Sequence, residues 1–351
     1  MNHRLISLGT CAVVALSMMA NGPALASSDR QADNWPTAAQ ASLSELLAAW
    51  PGAAPVDSQD YRAEQTDRQT HSVAIGASGA LELKTVSGDI TCVAGSGTTA
   101  SVEVIRRARG RTDADAKLGL AEVRAVVDHQ GERASVVAVY PTDRRQPPYS
   151  VDVSYVVTAP AGTRVSASSV SGDVSVREIK GDLSVASVSG EVMVNGAARL
   201  SVAKSVSGDV SVLNSASNGA MAIGSVSGNV RFDQIKAPQI GADSVSGSIT
   251  VSNAAVERAT LKTVSGDITF GGTIARGGRY EFQSHSGDVH VTALGQTGLD
   301  LQLSTFSGTL RATPVMNMRT GQSRTTMRGM VGDGGATLVA TTFSGDVTIT
   351  R

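Results

Sequence analysis

One phrase recurs ten times along this chain: an apolar residue, Ser, Gly, a small polar residue, then an aliphatic one. Its glycines are Gly88, Gly172, Gly190, Gly208, Gly228, Gly247, Gly266, Gly287, Gly308 and Gly345. From Gly172 to Gly308 they stand 18, 18, 20, 19, 19, 21 and 21 residues apart. A period near 20 marks stacked repeats, each too small to bury its own apolar face and dependent on its neighbours.

Aligning the phrases on Gly gives columns. Two after Gly stand Ile90, Val174, Val192, Val210, Val230, Ile249, Ile268, Val289, Leu310 and Val347, and four after Gly the column is again apolar, from Cys92 and Val176 to Ile349. Five and seven before Gly lie pairs such as Leu83 with Leu81, Ile223 with Met221 and Leu303 with Leu301. Alternation on both sides of the Gly is the period of half-buried strands. The expected fold is all-β: a β-solenoid with two short strands per coil of about 20 residues. Aromatic residues make up only 3% of the chain, which suits a thin aliphatic interior. The repeat glycines, Gly172, Gly190, Gly208, Gly228, Gly247, Gly266 and Gly287 among them, are expected to supply the positive φ of a tight turn. Leu200-Ser-Val202-Ala-Lys204 is shifted by one against the pattern, which predicts a bulge.

Three polar columns invite a functional reading. Ser precedes every repeat Gly, and Ser or Thr stands three before it. A hydroxyl ladder for sugars is one reading; hydrogen bonds to the turn backbone and along the stack are the expected one. The residue after Gly is acidic in seven repeats and Asn229, Ser248 or Thr309 in the others. A calcium ladder would need the doubled glycines of nonapeptide rolls, which are missing, so Asp is expected to cap turns.

Residues 1–26 read as a secretory signal: Arg4, an apolar run from Leu5 to Ala20, and the small-x-small site Ala24-Leu25-Ala26. Residues 27–70 are expected to hold a short helix, with Leu43, Leu46, Leu47 and Trp50 on one side, then a polar linker. Residues 71–164 carry the first repeat and a β-rich N-terminal cap. Strands are expected at about 98–107, 121–128, 133–140 and 149–158, with a turn at Gln130-Gly131 and a helix cap at Thr112. Residues 165–351 form the solenoid, interrupted by a loop insertion at 314–335. That loop supplies the candidate contact residues Arg319, Arg324, Arg328, Met316 and Met318, because long exposed loops carry function and Met adapts to partners. Nothing follows Arg351 to cover the last coil, so its edge is a candidate for end-to-end self-association.

Lys+Arg 30 against Asp+Glu 31 leaves no basic excess for nucleic acid. Beyond the signal no apolar stretch is long enough to span a membrane. Cys92 alone survives signal removal, falls in an inward column and has no internal partner for a disulfide. His285 and His290 share a repeat without zinc spacing, and no catalytic triad, phosphate loop or cofactor motif is present. No catalytic, cofactor or metal residues are expected.

The phrase Val-Ser-Gly-Asp-Val-Ser-Val, the lead-in Tyr155-Val-Val-Thr-Ala-Pro160-Ala-Gly162, and the closing Gly332-Asp-Gly-Gly335-Ala-Thr-Leu before Phe343-Ser-Gly-Asp-Val resemble one bacterial family over about 71–351. It is the putative-adhesin family of β-strand-repeat envelope proteins, a domain of unknown function. The resemblance implies an exported, noncatalytic β-solenoid with an adhesion or envelope-stress role. The leading expectation is a periplasmic or secreted protein that binds an envelope or surface component, glycan or protein, because flat solenoid faces suit extended ligands. The resemblance carries no list of functional residues. Two other classes stay open: a structural or self-associating envelope protein, and a carbohydrate-active β-helix enzyme, which would need carboxylates clustered in a groove.

Overall fold

The computed structural model describes residues 61–141, 147–295, 297–313, 317–318 and 325–350. The expected signal peptide, the segment 37–50, Arg319, Arg324 and Met316 lie outside them. The N-terminal part holds β1 (Ala63–Ala74), β2 (Ala80–Ser87), β3 (Ile90–Gly95), β4 (Thr99–Gly110), α1 (Asp113–Glu122), β5 (Arg124–Gln130), β6 (Arg133–Val139) and β7 (Tyr149–Pro160). The repeats follow as β8 (Arg164–Ser171), β9 (Val174–Arg177), β10 (Asp182–Ser187), β11 (Val192–Asn195), β12 (Arg199–Lys204), β13 (Val210–Leu213), β14 (Ala220–Ser225) and β15 (Val230–Asp233). Longer elements come next: β16 (Lys236–Ser246), β17 (Ile249–Ser265), β18 (Ile268–Ser286), β19 (Val289–Leu294), β20 (Leu299–Ser307) and β21 (Leu310–Ala312). The chain closes with β22 (Asn317–Met318), β23 (Thr326–Val331), β24 (Ala336–Ser344) and β25 (Val347–Thr350). Among the described residues the structure is all-β apart from α1.

Each repeat gives one strand before its Gly and one after it, and each kind pairs in parallel with its own kind. Val192 sits opposite both Val174 and Val210, and Val210 opposite Val230. The strands before Gly run β8, β10, β12, β14, β16 and on into the second halves of β17 and β18. The inward columns are closed to solvent except at the Gly308 repeat, where Leu310 and Ala312 are partly buried. Burying one such aliphatic side chain contributes about 1.5–3 kcal/mol, so the stack is held collectively. The bulge falls where the pattern shifts: Leu183 pairs with Leu200 but Ser184 with Val202, leaving Ser201 over.

The repeat glycines are required for a different reason than expected. Only Gly88, Gly266, Gly287 and Gly345 have φ in the left-handed half of the map, three of them at 149–157° and nearly extended. What all ten share is close approach. A Cβ on Gly208 would lie 2.1 Å from the Gly190 carbonyl oxygen, and on Gly228 2.3 Å from that of Gly208. The left-handed turn sits six residues after Gly instead, at Glu178, Gly196, Asn214, Gln234 and Asn253, with φ between 48° and 73°.

Three further expectations change. Residues 63–70 are strand β1 rather than linker, because twelve residues pair antiparallel with β4. The final repeat is not an open end: β24 pairs with both β18 and β20, and β25 with both β19 and β21. The Gly345 repeat therefore lies between those of Gly287 and Gly308, and its edge is unavailable for end-to-end association. Nor is 314–335 all loop, since β23 pairs antiparallel along the outer side of β20. At the other end β6 and β7 pair with β2 and β3, Thr112 forms a capping box on α1, and β5 and β6 turn at Gly131.

Candidate functional site

The hydroxyls three before Gly face inward. Ser187, Ser205 and Ser225 donate to the carbonyls of Gly172, Gly190 and Gly208 at 2.8–2.9 Å, and Thr305 and Thr342 donate to those of Gly345 and Gly287 at 3.0 Å. They serve the turn and offer nothing to a sugar. The acidic column hydrogen-bonds along the stack: the Asp173 carboxylate accepts the Glu191 N–H at 2.8 Å, Asp267 that of Asp288 at 2.8 Å, and Asp288 that of Asp346 at 2.8 Å. Each of these three carboxylates thus has a backbone donor in the repeat stacked next to it.

The column two before Gly is the unexpected one. It points away from the interior, yet it is apolar at every repeat but that of His285. At the Gly266, Gly287, Gly345 and Gly308 repeats its residues are Val264, His285, Phe343 and Phe306, adjacent in that order through the register of β17, β18, β24 and β20. The His285 and Phe343 rings stack at 4.9 Å and 11°, and Phe343 and Phe306 at 4.7 Å and 3°. Val264, Phe343 and Phe306 are 50%, 48% and 71% exposed. Scattered exposed apolar residues need no explanation, but a contiguous strip of stacked rings is a candidate contact surface. One side of the strip is the exposed serine row Ser265, Ser286, Ser344 and Ser307.

The insertion meets this strip. The Thr305 N–H donates to the Thr325 carbonyl at 2.9 Å, and β23 places Arg328 opposite Gln302. Opposed residues of an antiparallel pair share a face, so exposed Arg328 stands on the same side as Phe306. Arg276 and Asp333 anchor the far end of the insertion at 2.7 Å. The Gly298 N–H on Asp333, then Arg276, holds that carboxyl below its ordinary range. Of the other loop residues, Met318 contributes backbone pairing with Gly329, and Met327 packs partly buried on the core.

Other candidates carry less. His290 is exposed on β19 and separate from His285, which is committed to the ring stack. Among the described residues no group of three or more His, Cys, Asp or Glu could hold a metal ion. Cys92 is buried, and burial pushes its thiol up to about 12, so it is an inert core residue. A shallow depression of about 550 Å³ is lined by Lys180, Arg199 and Lys236, but Glu178 lies 2.9 Å from Lys180 and Asp182 3.4 Å from Arg199. No helix among the described residues is long and apolar enough to cross a membrane. The strip was legible in principle, because the apolar column at Gly−2 is out of phase with those at Gly−5 and Gly−7.

These features belong to a known class of β-repeat domain. The Toastrack family model, DUF4097, matches residues 152–350, and the chain belongs to that family, whose function is unknown. No curated protein matches it. Among solved structures it is similar to a putative lipid binding protein from Parabacteroides distasonis, with 9% identity and a TM-score of 0.48. A putative adhesin from the same species gives 14% and 0.41, and one from Bacteroides fragilis 11% and 0.40. Each comparison covers 81% of this chain and 97% of the other.

Proposed function

We propose that the chain is an exported, noncatalytic β-solenoid that binds a component of the cell envelope or surface through the strip Val264, His285, Phe343 and Phe306, with Arg328 beside it. The in-register parallel pairing supports the solenoid. The exposed ring stack is the observation that carries the binding role. Its rings repeat at about the 4.8 Å strand spacing, a surface suited to an extended ligand, glycan or protein, with Arg328 supplying the charge. The absence of a catalytic role rests on the acidic side chains being engaged in turn hydrogen bonds rather than gathered in a groove. Periplasmic or secreted placement rests on the signal-like N-terminus.

Co-sedimentation of the purified protein with isolated cell-envelope fragments tests the reading. Phe306→Ser and Phe343→Ser should each weaken binding by about 2 kcal/mol, roughly 30-fold, as expected for central aromatic anchors. Arg328→Glu should weaken it as well, while Val126→Ser at a remote exposed site should not. Undiminished binding by the Phe variants would refute the strip as the site. Loss of a concentration-dependent dimer in those variants, with no envelope binding by the parent, would make the chain a self-associating protein instead.

A further inference from the structure

The outward face of β17 and β18 carries charge as well as rings. Arg258 shares its face with Val264, and Arg279 with His285, since alternate residues of a strand point the same way. Arg258 and Arg279 are direct parallel partners, so two guanidinium side chains leave neighbouring strands about 4.8 Å apart. A register shift between Val256 and Arg258 is what sets them opposite. Both are exposed, and among the described residues neither forms an ion pair or a side-chain hydrogen bond. The acids nearby do not serve them. Glu281 accepts from Gln283 at 2.5 Å and lies 4.0 Å from Lys262, and Glu257 forms no ion pair among the described residues. Arg276 is already neutralised by Asp333. On either side of the pair stand Gln239 on β16 and Thr337 on β24, both neutral. Like charges in direct register destabilise a sheet, and here no carboxylate offsets the contact.

We propose that Arg258 and Arg279 form a binding site for a phosphate dianion, free or carried as a sugar ester. One guanidinium fork fills both oxygens of a carboxylate, so a single arginine suffices for that group. A phosphomonoester has three terminal oxygens and a charge of about −1.5 to −2, which matches two forks side by side. Bound phosphate supplies the counter-charge that the sheet lacks. Gln239 and Thr337 extend the row with an amide and a hydroxyl, groups that hydrogen-bond the alcohol portion of an ester. Main-chain pairing continues beyond both strands, to β16 on one side and β24 on the other, so the spacing of the two arginines is held by the sheet. Six residues along the strand separate the pair from the ring strip, about 20 Å. The site is therefore distinct from the strip, and its failure would leave that reading untouched.

Calorimetric titration of the purified full chain at low salt, with glucose 1-phosphate, inorganic phosphate and glucuronate as probes, tests the site. Both phosphates should bind, and glucuronate about tenfold more weakly. Tighter binding of glucose 1-phosphate than of inorganic phosphate assigns the site to the ester, and equal binding to the free ion. Arg258→Gln and Arg279→Gln should each weaken phosphate binding roughly tenfold, the effect of losing a charge-assisted hydrogen bond. The double variant Arg258→Lys/Arg279→Lys keeps the charge, loses the forks and should also bind more weakly. Arg231→Gln, at an exposed position on β15, should bind like the parent. Without ligand, the two Gln variants should unfold at the same or slightly higher urea concentration, because the like-charge contact is gone. No phosphate binding by the parent, equal affinity for glucuronate, or undiminished binding by both Gln variants would overturn the proposal. So would equal weakening by Arg231→Gln, which would mark a diffuse field, or a large fall in the unfolding midpoint, which would return the arginines to the fold.

Discussion

At the scale of single residues, the repeat is fixed by what cannot be larger than glycine and by what must donate a hydrogen bond. A Cβ on Gly208 would meet backbone at 2.1 Å, with no flexible side chain to yield. Gly208→Ala should therefore cost about 1–3 kcal/mol, the range for overpacking, as read by urea unfolding. Gly219→Ala, with nothing within 4 Å, is the matched control and should be neutral or slightly stabilising. Ser225→Ala removes a buried donor from the Gly208 carbonyl and should cost about 1–3 kcal/mol by the same measurement. The glycine column was legible in the sequence, but its cause was not. A conformational need and a close approach give the same letter, and only the neighbouring repeat distinguishes them. Asn214 and Asn253 hinted at the true left-handed turn, while Glu178 and Gln234 hid it, since those residues rarely adopt positive φ.

At the scale of elements, local patterns translated well. Gln130-Gly131 marked the β5–β6 turn, Thr112 the start of α1, and the shifted Leu200–Lys204 pattern the bulge at Ser201. What failed was the order of stacking at the far end. Nothing near Phe343 or Phe306 says which parallel strand will be its neighbour, because identical Ser-Gly phrases can pair with any other. The insertion makes the exchange possible. It carries the chain outward along β20 as β23 and returns it as β24 between β18 and β20. The same exchange sets Phe343 between His285 and Phe306, so the candidate site depends on it. Phe343 is half exposed, and Phe343→Ser should leave the unfolding free energy nearly unchanged, within about 0.5 kcal/mol, while weakening binding roughly 30-fold. A large loss of stability would mean the ring belongs to the core.

At the scale of the whole molecule, one apolar interior runs from the Gly88 repeat to the Gly308 repeat, mostly aliphatic but with Tyr155, Phe232, Phe270, Tyr280 and Phe282 fully buried in it, with Cys92 inside it and Tyr140 packed partly buried against it. Burial pushes the Cys92 thiol from 9.0 up to about 12 and the Tyr140 hydroxyl from 10.0 up to about 12. The unfolded chain gives up these protons first. The stability they hold is complete below pH 9 and is lost as pH rises toward 12. Urea midpoints should therefore fall between about pH 9 and pH 10.5, and less steeply in Cys92→Ala. A flat profile would mean these groups are not sealed in.

The stacking of the repeats is tested most directly by a pair of engineered disulfides. Thr292 and Thr350 are parallel partners with hydroxyls 3.2 Å apart, within the reach of a disulfide, whereas stacking in chain order would set Thr292 beside Thr313. Oxidation of the Thr292→Cys/Thr350→Cys chain should give an intramolecular bridge in nearly all molecules, and the Thr292→Cys/Thr313→Cys chain almost none. The reverse outcome, or no bridge in either, would contradict the in-register stack on which the fold and the aromatic strip both rest.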